Sequence, residues 1–183
     1  MASITSEPSH RYFHSFDIKP DIKFENQREG EEVILLLRSH PVTQVPWIVN
    51  VLILFILLVV ANLVFFGYLN GLQVFYINFF LTIFIFSYAW LNILVYIFNV
   101  GILTNLKVTD IDFSAIVYKE VTEARMDKIE DVTSKEAGYF ESLFNYGDVF
   151  VQTAGTDANI EFQKVPRPSH VVNFINELTG AKL

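Results

Sequence analysis

The chain has 183 residues, 52% of them hydrophobic, a formal net charge of −7 and no cysteine. That length leaves room for one long apolar unit and one small folded domain. The missing cysteines exclude disulfides and thiolate chemistry, and the acidic balance makes nucleic acid or bulk anionic lipid a poor electrostatic partner.

Residues 1–24 read as an irregular tail, because Pro8 and Pro20 interrupt any helix and no apolar period is sustained. His10 and His14 stand four apart, a spacing that on a helix can hold a metal. With no third ligand nearby they read as solvated, and no metal is expected. Residues 25–46 form a pre-membrane segment in which Val33–Leu37 is a short apolar run, a strand or one helical turn. Arg38 follows, close to where lipid headgroups would begin. It can contact lipid phosphate, but a charge that sets topology while its stem snorkels is the favoured reading.

From Ser39 to Leu106 there is no Lys, Arg, Asp or Glu. Two apolar runs lie inside, residues 47–68 and 75–98, and as helices each would be roughly 33–36 Å long, enough to cross a hydrocarbon core of about 30 Å. Sixteen of the first 22 residues are Leu, Ile, Val or Phe. Pro46 suits a first helical turn, and Trp47 and Tyr68 bracket the first helix as an aromatic belt. Arg28, Arg38, Lys107 and Lys119 flank the pair, while the connecting loop Leu69–Gln73 has no basic residue. Both termini are therefore expected in the cytoplasm of a multi-pass protein of the cell membrane. Arg38, Trp47, Tyr68 and Lys107 are the membrane-interface candidates. On a helical wheel Asn78, Thr82, Ala89, Asn92 and Tyr96 share one side of the second helix, with Ser87 opposite. Such a stripe reads as helix packing, against the first helix or a second copy. An ion path is the weaker reading, because neither apolar run carries Lys, Arg, Asp, Glu or His.

After Asn99 the pattern turns β-like. GILTNLKVTDIDF, AIVYKEVTEARM and KIEDVTSK are rich in Ile, Val, Thr and Tyr. In Asp148–Thr153, Val149 and Val151 oppose Phe150 and Gln152; in Asn159–Lys164, Ile160 and Phe162 alternate with Glu161 and Gln163. Ala154–Asp157 reads as the turn joining those two strands. Tyr139–Phe144 is expected to be a helical turn packed on the sheet. Val171, Phe174, Ile175 and Leu178 give a last helix one apolar face, begun by Pro168 or Ser169 and ended by Gly180.

The order of these features, with ILTNLKV (102–108), IEDV (129–132), NYGDVFVQTAG (145–155) and GEEVILLLRSHP (30–41), resembles the bacterial pleckstrin-homology-like membrane proteins of the YdbS type, once known as a domain of unknown function. The resemblance spans roughly residues 25–180. It implies a bent seven-stranded antiparallel β-barrel closed by a C-terminal helix, without catalytic residues. Relatives of that fold often bind phosphoinositides through a basic cluster on the first hairpin. Here the matching strands hold Lys107, Asp110, Asp112, Lys119 and Glu120 instead.

The sequence carries no phosphate loop, no GxSxG elbow and no HExxH. The charged stretch Glu120–Glu136 reads as a solvated strand face, and His170 as an exposed first-turn residue. The expectation is an α+β membrane protein, with a helical hairpin over 47–98 and a pleckstrin-homology-like cytoplasmic barrel over 99–183. It would be a binding or scaffold module rather than an enzyme, without cofactor. Its partners would be the bilayer, an unidentified protein and, as the alternative function, other copies of itself assembled through the hairpin, with Trp90 at the contact.

Overall fold

The computed structural model describes residues 15–20, 27–114, 118–154 and 159–180. His10, His14 and most of the expected turn at Ala154–Asp157 lie outside these. The fold is α+β, with two long apolar helices and two antiparallel sheets. A short edge strand β1 (Phe16–Ile18) pairs with β2 (Val33–Leu37). A 3-10 turn at Pro41–Gln44 then leads into helix α1 (Val45–Val64). Helix α2 (Gly71–Phe98) returns directly into β3 (Val100–Thr104), followed by β4 (Lys107–Ser114) and β5 (Tyr118–Arg125). These strands make one sheet in the order β1-β2-β3-β4-β5.

The second sheet holds β6 (Ile129–Lys135), β7 (Tyr146–Thr153) and β8 (Ile160–Pro166). Helix α3 (Tyr139–Phe144) links β6 to β7, and helix α4 (Pro168–Gly180) ends the described chain.

The Val33–Leu37 run is thus a strand, and its pairing with β3 (Leu35 opposite Leu103, Leu37 opposite Gly101) places it in one sheet with strands that follow the two helices. The hairpin is an insertion between two neighbouring strands. Both faces of β2 are covered, which explains why it reads as an unbroken apolar run: Leu35 and Leu37 join the main core, Val33 and Leu36 a smaller cluster with Ile102.

The main core also takes Val149, Val151, Ile160 and Phe162, as their alternation predicts, together with Val171 and Ile175 of α4. A closed barrel is not what forms. Among the described residues the two sheets share no ladder, because the chain leaves β5 through a 3-10 turn, Met126–Lys128, that buries Met126 between them. The sheets meet through side chains instead. Gly101 lets the Phe162 ring of β8 lie against β3, where a Cβ would come within 2.5 Å of that ring.

The helices also differ in extent from the apolar runs. Helix α1 stops at Val64, and Gly67 adopts φ +87, which a side chain would resist. Helix α2 begins four residues before Phe75. Asn70 accepts the backbone N–H of Gln73 and the Gln73 side chain accepts that of Asn70, a capping box written in the loop itself.

Candidate functional site

A reciprocal pair of amides links the two long helices. Asn62 Nδ2 donates to Asn78 Oδ1 and Asn78 Nδ2 to Asn62 Oδ1, both at 2.8 Å. Each amide gives its other hydrogen to a carbonyl one turn back, Leu58 or Val74. Both donors of both amides are thereby used. Of the expected packing residues, Asn78 faces α1, while Ala89 and Asn92 are half-buried and Thr82 is exposed. Asn92 donates to Tyr88 O of its own helix at 2.8 Å. Asn62 escaped the sequence reading. Its signal was symmetry: it stands as far before Asn70 as Asn78 stands after it, so an antiparallel hairpin brings the two to one depth.

The four interface candidates separate. Trp47 is in the first turn of α1 and its indole N–H donates to Gln44 Oε1 at 2.8 Å. Tyr68 is exposed in the turn between the helices, not on α1. Arg38 sits at the root of the hairpin. Its side chain is half-buried, and burial pushes the guanidinium below its usual value, opposed by nearby Tyr96 and Asp17.

Lys107 lies apart from the other three. It begins β4 at the opposite end of β3 from α2, about 16 Å along the strand at roughly 3.3 Å per residue. Its Nζ meets Glu123 Oε1 at 2.8 Å and its side chain is 10% exposed. It is an ion-paired cation on the ladder between β4 and β5.

A clamp at that far end ties the segment before β2 to the β3–β4 turn. The buried Thr104 hydroxyl donates to Glu31 Oε1 at 2.8 Å and accepts the N–H of Lys107 at 3.0 Å. Asn105 Oδ1 accepts the N–H of Glu32 and its amide donates to Gly30 O, each at 3.0 Å. Beside this clamp lies a hollow of about 580 Å³, lined by Arg28, Leu106, Lys107, Glu123, Arg125 and Asp127 among others. Its walls alternate in sign, and Arg125 pairs with Asp127 as Lys107 does with Glu123.

At the helix root a second, much smaller cavity of about 50 Å³ is lined by Arg38, Ser39, Asn99, Asp110 and Asp112. That is room for a water or two and no organic ligand. Asp110 and Asp112 stand two apart on β4, on the face that carries buried Val108 into the core. Burial, then the neighbouring Asp112 charge, pushes the Asp110 carboxyl up to about 7. Asp112 is raised by burial and by Glu120, and is held down by the hydrogen bond from Asp110. Below about pH 7 Asp110 therefore holds its proton and hydrogen-bonds through it to the Asp112 carboxylate. Among the described residues no group of three His, Cys, Asp or Glu side chains is placed to hold a metal.

No family model and no curated protein matches the chain. Among solved structures it is similar to a DUF1696 family protein with a pleckstrin-homology domain from Shewanella loihica PV-4, at 14% identity and a TM-score of 0.33, over 46% of this chain and 71% of that one.

Proposed function

We propose that α1 and α2 cross a membrane as a hairpin with both ends of the chain on the cytoplasmic side, and that the two-sheet domain is a non-catalytic binding or scaffold module at that surface. One observation carries the anchoring. Two helices long and apolar enough to span a bilayer follow one another, no residue of α1 is buried, and only Ile85 of α2 is. A soluble core helix would be covered by its own domain, and this exposed apolar area far exceeds the few hundred Å² that a soluble monomer tolerates. A hydrocarbon environment satisfies it, and the Asn62–Asn78 pair satisfies the amides that lipid would leave unpaired.

The binding role rests on the hollow of about 580 Å³ at the end of the strands remote from the helices. A membrane-tethered domain would turn that end toward soluble partners. Its paired cations and carboxylates suit a polar protein segment of mixed charge better than a phosphoinositide, which requires a basic cluster. Antiparallel strands followed by one C-terminal helix support the pleckstrin-homology-like reading, although two separate sheets stand where the resemblance implied a seven-stranded barrel. A photo-crosslinking residue in place of Leu106, in the native membrane, tests the module. A discrete protein adduct that Arg125→Glu abolishes is the expected result; an adduct pattern indifferent to that reversal contradicts it.

A further inference from the structure

Outside the two long helices and the turn between them, the described residues expose large apolar side chains singly at Leu106 and on β5 at Tyr118 and Val121, and as a run at α3. All four apolar side chains of this single short helix, Tyr139, Phe140, Leu143 and Phe144, are 44–76% exposed. The expected packing of this turn on the sheet does not occur. The segment is well built nonetheless. Gly138 at φ 109 starts it, Asn145 in the left-handed region ends it, and the Glu141 carboxylate turns back to accept the backbone N–H of Ala137. Its one charge is folded inward and its aromatics point out.

The location of α3 decides what covers it. Asn145 links α3 to Tyr146, whose ring stacks on His40 with centroids 5.4 Å apart. His40 caps the 3-10 turn that runs straight into α1. His40 N–H also donates to Lys164 O at 2.7 Å, and Arg167 N–H to Asn145 O at 2.8 Å. So α3 lies at the root of the hairpin, on the same end of the domain as Trp47. It hangs from the three-stranded sheet, whereas the hairpin is rooted in the other sheet. The geometry points to α3 as a second membrane contact: its aromatic tip enters the headgroup region of the leaflet from which α1 departs. Tyr and Phe side chains at that depth match the chemistry of an interfacial belt, and no basic residue is required. Two attachments, one in each sheet, fix the tilt of the domain and keep the remote hollow directed away from the bilayer.

This inference rests on the reading of α1 and α2 as membrane helices, and the test separates the two. Because the chain has no cysteine, single variants carry one thiol each. Ile53→Cys, Phe140→Cys, Leu143→Cys and Glu130→Cys, each labelled with an environment-sensitive fluorophore, are reconstituted as full-length chain at about one molecule per vesicle. Labels at 140 and 143 should be blue-shifted and quenched by lipids spin-labelled near the headgroup, that at 53 by deeply spin-labelled lipids, and that at 130 by neither. Labels at 140 and 143 that match 130 while 53 is quenched overturn the α3 contact and leave the hairpin intact. An unquenched label at 53 overturns both.

Discussion

Asn62 and Asn78 exchange two hydrogen bonds of 2.8 Å across the hairpin, eight residues to either side of Asn70. In an apolar surround each amide is costly without the other. Asn78→Leu should therefore destabilise the α1–α2 pair by about 1–2 kcal/mol, and Asn62→Leu added to it should recover part of the loss. A double-mutant cycle on unfolding in detergent or bicelles measures this, with a coupling of about 0.6–1.7 kcal/mol expected. Oligomeric state should not change, because the pair closes within one chain.

Thr104 is the pivot of the clamp at the far end of the domain. Thr104→Val keeps the shape but leaves Glu31, which is 3% exposed, without that donor, and strips the β3–β4 turn of the acceptor for Leu106 and Lys107. The expected cost is about 1–3 kcal/mol in thermal or urea unfolding. Thr104→Ser should retain most of the stability.

Two glycines differ in how they can be repaired. A Cβ at Gly101 meets the Phe162 ring at 2.5 Å, and one at Gly147 meets the Lys135 carbonyl oxygen at 2.4 Å. Gly101→Ala should cost about 1–3 kcal/mol and be partly rescued by Phe162→Leu, since a side chain is in the way. Gly147→Ala should not be rescued by truncating any neighbour, because the obstacle is backbone. Unfolding of the two singles and the Gly101/Phe162 double settles it.

Asp110 links stability to pH. Its folded value of about 7 lies above the ordinary 3.8, so between those pH values the folded chain keeps a proton that the unfolded chain has released. Stability should fall as pH rises from about 4 to about 7 and then level off, and the raised Asp112 adds in the same direction. Asp110→Asn keeps a donor toward Asp112 and removes the charge. It should flatten that slope and stabilise the protein at pH 8 by on the order of 1–3 kcal/mol, the carboxylate being only partly shielded from solvent. Urea unfolding at pH 5 and pH 8 reads both effects.

What the sequence made legible was periodic. The two apolar runs, the alternation in β7 and β8, and the Val171/Ile175 face all sit where their spacing puts them, because each feature is local. Partnership was not legible. That β2 joins β3 across the whole hairpin, that Lys107 turns to Glu123, and that Glu31 reaches Thr104 all depend on the fold bringing distant segments together. The Asp110–Asp112 pair was hidden for a similar reason. Alternation along β4 marks a face, but only the neighbouring strands decide which face is buried. The helix ends were readable in principle from Gly67 and the Asn70–Gln73 capping box, but hydropathy alone overran the first and undershot the second.

The most direct test of the central claim is thiol accessibility across a sealed membrane. Tyr68→Cys lies in the exposed turn between the helices and Glu130→Cys in the domain. With a membrane-impermeant maleimide, intact cells should label position 68 and spare position 130 until the membrane is broken, and the protein should stay in the membrane pellet after alkaline carbonate. Equal labelling of the two positions in intact cells, or a chain released by carbonate, would contradict the transmembrane hairpin.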